Sequence, residues 1–206
     1  VRLLGSVGES INPQAWKWLR KHVGGGTASF IDTWWQSETG STICSPRPHD
    51  PAFAPEGTFP EGTPHCTPLP GCATREVPGV SVRVVDEHGD LVEPGKQGFI
   101  VVDKIGPSMA RTVWGDPQRY LNSYWKHYGT RGWFLAGDGA KVDDEGNVYI
   151  LGRIDDVINI SGHRLSTIEI ESALVTHPAV VEAGVCPVED ELTGHQAVAY
   201  VTLTDE

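Results

Sequence analysis

The chain has 206 residues, 39% of them hydrophobic and 21% charged, with a formal net charge of −11. That balance fits a folded globular protein, and the acidity argues against nonspecific nucleic-acid binding, which needs a basic footprint. No apolar run approaches the roughly 18 residues of a transmembrane helix and no signal-peptide pattern opens the chain, so no membrane role is expected.

Residues 2–32 read as β-loop-α-β. Arg2 to Leu4 is a short strand and Gly5 to Ser10 a glycine-bearing loop. Asn12 caps a helix with Pro13 at its first position, and Gly24-Gly25-Gly26 ends it. Trp16, Leu19 and Val23 recur at helical spacing and mark a buried face. Ala28 to Asp32 returns as a second strand, and ligands in such sheets sit beyond the carboxyl ends of the strands, where Gly8-Glu9 and Asp32 to Glu38 fall. Residues 44–78 hold nine of the fifteen prolines and are expected to be loop. Within or near it, Cys66, Cys72, His49 and His65 match no zinc spacing. Reduced thiols in a cytoplasmic protein are the expectation for the four cysteines.

Alternating residues 80–84, a turn at Glu87-His88-Gly89-Asp90, and residues 98–102 form hairpin material. Asp116 to His127 is a short helix rich in aromatics. Trp133 to Val142 and Val148 to Leu151 make a second hairpin around Asp144-Glu145-Gly146-Asn147. Ser166-Thr167-Ile168-Glu169 reads as a capping box. The helix it opens runs to Val175, is stopped by Pro178, and precedes strands at 180–187 and 196–203.

The segment from Gly152 to Leu165 sets Arg153, Arg164, Asp155, Asp156, Gly152 and Gly162 around the apolar Val157-Ile158-Asn159-Ile160. Guanidinium forks bind phosphate or ribose oxygens, and glycine lets backbone approach closely. Alone, a solvated hairpin with a capped helix serves equally well. Two other segments weigh against that: Asp32-Thr33-Trp34-Trp35-Gln36-Ser37-Glu38-Thr39-Gly40 after a strand, and Gly137-Asp138-Gly139.

Three such segments in this order resemble the adenylate-forming acyl-CoA synthetases, and the Trp-Trp-Gln step resembles their acetate-activating branch. The resemblance runs from Leu4-Gly5-Ser6-Val7-Gly8-Glu9 to the final strand. It implies an α/β plus α+β fold. Residues 1–154 would be part of a large adenylation domain, an α/β sheet with a β-hairpin subdomain. Residues 155–206 would begin a small mobile C-terminal domain.

The resemblance also implies roles. Gly8, Glu9 and Ser10 would approach the adenine of ATP or AMP, and Asp32, Thr33, Trp34 and Gln36 would surround the base. Ser37 would donate to the α-phosphate, while Glu38 would hold Mg²⁺ on phosphate oxygens. Trp35, with Val7, would close the acyl pocket and leave room for a very short acid. Asp138 and Arg153 would take the ribose and Arg164 the phosphate. Asp155 would be the hinge, and Ser161 and Gly162 would lie near coenzyme A. Val175, His177 and Val180 would match a cation site built partly from backbone carbonyls. Ser37 stands where threonine is common, which keeps the hydroxyl. Ser10 stands where proline is frequent, and is expected to loosen the Gly8-Glu9 loop.

The implied activity joins acetate to coenzyme A at the expense of ATP, with these small molecules as substrates and with no nucleic-acid or membrane partner. Propionate or acetoacetate ligation is the alternative within the class, and a non-catalytic nucleotide-binding remnant the alternative outside it. The chain opens at Val1 without an initiator methionine and stops at Glu206 just past a strand. A piece of a longer enzyme is therefore expected, with the phosphate loop before Val1 and the adenylation lysine after Glu206. These 206 residues alone would then be inert.

Overall fold

The structure is a computed structural model and describes residues 1–8, 10–46, 70–154, 157–160, 163–190, 192 and 194–204. Asn12 sets the first helix, α1 (Pro13–His22): its side-chain oxygen accepts from the N–H of Gln14 at 2.8 Å and of Ala15 at 3.4 Å. These donors have no partner inside the helix, so the cap satisfies them. The helix connects β1 (Leu3–Ser6) to β2 (Ser29–Asp32), which pair in parallel with Ser6 opposite Asp32. Trp16 packs inward against Phe30, with ring centroids 5.3 Å apart. Leu19 is half-buried and Val23 exposed, so the apolar face is narrower than its spacing suggests.

A five-stranded antiparallel sheet follows. It comprises β3 (Cys72–Thr74), β4 (Ser81–Val85), β5 (Gln97–Lys104), β6 (Phe134–Val142) and β7 (Val148–Arg153), ordered β3-β7-β6-β5-β4. Both expected hairpins are present. The loop expected over 44–78 is corrected at its end, because Cys72–Thr74 pairs with β7 and Cys44 bridges Glu76. The stretch between Pro70 and Pro78 contains no proline, so its donors remain available for a ladder. Three residues are too few to show alternation in the sequence.

Between β5 and β6, Asp116 caps α2 (Pro117–Tyr120) by accepting from Arg119 N–H at 2.9 Å. The helix then widens into one π-helical turn, Leu121–Trp125. This turn lays Tyr124 flat on Phe134, with centroids 5.0 Å apart and planes 9° from parallel, while Trp125 meets Phe134 edge-on at 5.7 Å. Phe134 is fully buried with Ile43, Ile100 and Val102, which makes it the centre of the main core.

The remaining strands, β8 (Val157–Ile160), β9 (His163–Ser166), β10 (Val180–Asp190) and β11 (Gly194–Leu203), form a second antiparallel sheet ordered β10-β11-β8-β9. Its helix, α3 (Thr167–Leu174), starts where the capping box placed it, but the box does not close. The Ser166 hydroxyl instead donates to the Leu151 carbonyl at 2.7 Å, in a buried contact with β7. Glu169 turns outward to Lys141 Nζ at 3.4 Å and Gln97 Nε2 at 3.3 Å. Tertiary partners have taken both side chains the box needed. Among the described residues no helix is long and apolar enough to cross a membrane.

Removing the ring at the centre of the core leaves a cavity flanked by two aromatic faces. Phe134→Ala should lower unfolding free energy by about 3–5 kcal/mol, measured by urea denaturation. A loss below about 1 kcal/mol would mean that the aromatic stack does not hold the sheet and the π turn together.

Candidate functional site

The loop after β2 is held from several directions. Thr33 N–H donates to Ser6 O at 3.2 Å, extending the parallel pairing by one step. Trp34 then bridges to Cys44: its N–H donates to Cys44 O at 2.9 Å, and its carbonyl accepts from Ile43 N–H at 3.0 Å. Inside the loop, the buried Thr39 hydroxyl donates within 2.8 Å of the carbonyls of Gln36 and Ser41 and accepts from Gln36 N–H at 3.0 Å. Gly40 lies at φ +65°, and a Cβ there would come 2.2 Å from Ser108 O, so only glycine fits. Ala110 N–H fixes the carbonyl of Glu38 at 2.7 Å.

This loop forms one wall of a cavity of about 400 Å³. Gly8, Ser10, Asp32, Thr33, Trp34, Trp35, Gln36, Ser37, Glu38, Asp138 and Arg153 all line it, so residues up to 145 positions apart in sequence meet there. Ile150, Gly152 and Ile168 complete the walls on the far side, with Gly71 and Ala73. Gly152 belongs to the arginine-bearing segment singled out in the sequence, whereas Ile150, Ile168, Gly71 and Ala73 were not expected at the site. Pocket walls are mostly apolar, and which apolar residues supply them depends on long-range packing.

Asp138 sits within β6, opposite Arg153 of β7 in the ladder, and not in a turn. Its Oδ2 accepts from Trp34 Nε1 at 2.8 Å and Gln36 Nε2 at 2.7 Å, and its Oδ1 from Arg153 Nη1 at 3.2 Å. Gln36 Nε2 and Arg153 Nη1 share a further acceptor, Ala136 O, at 2.7 and 3.2 Å. Gly137 has φ +78°, and a Cβ on it would lie 2.7 Å from Arg153 Nη2, so the guanidinium rests where a side chain would be. Trp34 is only 5% exposed and belongs to the main core, which leaves its rings little open face for a base. Trp35 is 46% exposed at the cavity.

Asp32 ends β2, where its Oδ2 accepts from Gly71 N–H at 3.0 Å. Burial pushes its carboxyl up to about 6, against the opposing hydrogen bonds from Gly71, Thr33 and Ser6. Glu38 accepts from the Tyr124 hydroxyl, and that bond, with burial, holds the phenol up at about 12. The sequence did not single out Tyr124. Its spacing from Tyr120 looks like an ordinary core stripe, and only the π turn aims the hydroxyl at the loop. The Ser10 hydroxyl donates to Ile150 O at 2.6 Å. That bond ties the Gly8 loop to β7, so Ser10 tethers the loop it was expected to loosen.

Other sequence candidates lie elsewhere. Val7 is exposed and lines a neighbouring hollow of about 700 Å³ between α1 and α3. Val175 is the C-cap of α3 and Val180 begins β10. Between them, His177 O accepts from Val180 N–H at 3.0 Å and His177 Nδ1 from Ala179 N–H at 3.2 Å. Glu9, Asp155, Ser161 and Gly162 fall outside the described residues, and Arg164 is described only by its backbone place in β9. Among the described residues Cys44, Cys72 and Cys186 are joined in no disulfide, and burial pushes the Cys44 thiol far up. Among the described residues no cluster of three or more His, Cys, Asp or Glu side chains forms a metal site.

A family profile described as AMP-binding enzyme matches residues 1–114, and one described as AMP-binding enzyme C-terminal domain matches residues 169–206. The acetyl-coenzyme A synthetase of Mycolicibacterium smegmatis is 46% identical over 98% of this chain, and that of Streptomyces avermitilis 48% identical over 98%. The chain spans 21% and 28% of the length of those two relatives. An anthranilate CoA ligase solved with anthranoyl-AMP superposes with a TM-score of 0.75 at 25% identity, covering 98% of this chain and 33% of that one.

The raised Asp32 carboxyl has a signature in stability. Between the unfolded value near 3.8 and the folded value of about 6, the folded state holds a proton that the unfolded state has lost. The contribution is therefore complete below about pH 4 and is lost as pH rises through about 6. Asp32→Asn should flatten that fall in unfolding midpoint between pH 4 and 6. An equally steep fall in the variant would assign the effect to another group.

Proposed function

Because this chain belongs to the AMP-binding enzyme family, we propose that it carries the nucleotide site of an AMP-forming acetate–CoA ligase. The observation that carries the reading is the convergence of Asp32 to Glu38, Asp138 and Arg153 on one cavity. The acetyl-coenzyme A synthetases among its relatives supply the substrate class. In the first step a carboxylate oxygen of acetate attacks the α-phosphorus of ATP, giving acetyl-adenylate and pyrophosphate. In the second, the thiol of coenzyme A attacks the acetyl carbonyl and AMP leaves.

Each side chain has a part suited to its chemistry. Gly8, Glu9 and Ser10 border the adenine, with Asp32 and Thr33 offering hydrogen bonds to its edge. Asp138 accepts from ribose hydroxyls, and Arg153 shares the ribose. Ser37 donates to the α-phosphate, and Arg164 adds positive charge to it. In a chain of net charge −11, such local cations must offset the charge of the nucleotide. Trp35, exposed at the cavity, caps the acyl end, and an indole there admits only a short chain.

Mg²⁺ binds through one or two carboxylates plus substrate phosphates and waters. Glu38 fits that demand: it supplies one carboxylate at the cavity, and Tyr124 occupies only its Oε1. When bound, the ion would neutralise phosphate charge. Glu38 would orient toward it, and Tyr124 would fix Glu38.

The partition into 1–154 and 155–206, with Asp155 as hinge and Ser161 and Gly162 beside coenzyme A, completes the proposal. It is supported by the change of sheet between β7 and β8. Cysteines kept as thiols at Cys44, Cys72 and Cys186 would suit a cytoplasmic enzyme. The cation site at Val175, His177 and Val180 belongs to the same reading.

At its natural full length, the protein should exchange labelled pyrophosphate into ATP when acetate is present and far less with hexanoate. Trp35→Gly should move the preference toward longer acids. An unchanged chain-length profile would remove Trp35 from the acyl pocket, and equal exchange with both acids would refute the short-chain reading. Proline at position 155 fixes φ, so Asp155→Pro should spare adenylate formation and slow thioester formation. Equal loss in both half-reactions would rule out the hinge role.

A further inference from the structure

We propose that Trp34 and Gln36 are positioning residues for Asp138, and that recognition of ribose depends on the indole N–H of Trp34 and the amide of Gln36. The inference rests on the ribose role proposed for Asp138. Trp34 Nε1 at 2.8 Å and Gln36 Nε2 at 2.7 Å both donate to the same carboxylate oxygen, Oδ2. A carboxylate oxygen has about two lone-pair sites, so these two donors saturate Oδ2 and fix the plane of the group. Oδ1, with Arg153 Nη1 at 3.2 Å, is the oxygen left to meet a hydroxyl.

The clamp is rigid for reasons visible around it. Trp34 is 5% and Asp138 7% exposed, so neither can turn without disturbing the core. Gln36 Nε2 is held a second time by Ala136 O at 2.7 Å, two residues before Asp138 on the same strand. Hydrogen bonds to a charged acceptor are among the stronger ones, and more so away from water. Trp34 lines the cavity, and its N–H acts on the ligand through Asp138.

The test is the dissociation constant of AMP and of 2′,3′-dideoxyadenosine 5′-monophosphate, measured by titration calorimetry on the protein at natural full length. Wild type should bind AMP more tightly than the dideoxy analogue. Trp34→Phe keeps a ring in the core and deletes the N–H. It should weaken AMP about tenfold and leave the analogue unchanged, with KM for ATP rising more than kcat falls. Equal weakening of both ligands would mean that Trp34 acts through packing or stacking, and no weakening would mean that Asp138 needs no clamp; either overturns the proposal. Gln36→Met removes the second donor outside the core. Should a thermal melt show Trp34→Phe unfolded, the same pair of titrations on Gln36→Met decides in the same terms. If wild type itself does not distinguish the two ligands, the ribose role of Asp138 fails, and the proposal fails with it.

Discussion

Three separated stretches of chain meet at the carboxylate of Asp138. The loop after β2 reaches it through Trp34 and Gln36, β6 carries it, and β7 answers with Arg153. A carboxylate with few donors at this depth would carry a desolvation cost that burial of its neighbours could not offset. The donors are therefore a condition of the fold as much as a feature of the site. They require the loop to lie over the sheet, and that in turn encloses the cavity. Gly137 completes the arrangement by leaving its side-chain space to the guanidinium.

The same region shows how core and site divide the work. Phe134 and its aromatic neighbours fill the sheet's inner face, while four residues further along β6 Asp138 places a carboxylate between the buried Ala136 and Ala140. Tyr124 belongs to both. Its ring stacks in the core and its hydroxyl holds Glu38. A π-helical turn makes that possible, since the extra residue per turn rotates the side chain away from its ordinary α-helical direction.

Much of this was legible in the sequence where the governing physics is local. Asn12 and Pro13 announced α1 through capping, alternation announced the first hairpin, and the turn at Asp144 to Asn147 announced the second. The residues from Asp32 to Glu38, with Asp138 and Arg153, were legible as a group because their three segments in order resemble one enzyme family, and the structure brings them to one cavity. What escaped depends on contacts distant in sequence. Ser166 and Glu169 satisfy a capping-box pattern, yet Leu151, Lys141 and Gln97 claim them. Ser10 looked like a loosened turn because its partner, the carbonyl of Ile150, is 140 residues away. β3 was hidden by its length, and Ile150 and Ile168 by being ordinary apolar residues until packing brings them to the cavity.

The contact between α3 and the larger sheet is made of unlike parts. Ser166 bonds Leu151 out of solvent, and Ile168 lies close over Gly152, where a Cβ would come 3.1 Å from its Cδ1. Glu169, by contrast, reaches Lys141 and Gln97 at the surface, with 46% of its side chain exposed. Exposed charge pairs weaken as ions accumulate around them, over a screening distance of about 8 Å at physiological salt. Ionic strength therefore acts on this seam from its rim and leaves its buried centre untouched, so part of the cohesion between the two sheets is graded by the salt of the medium.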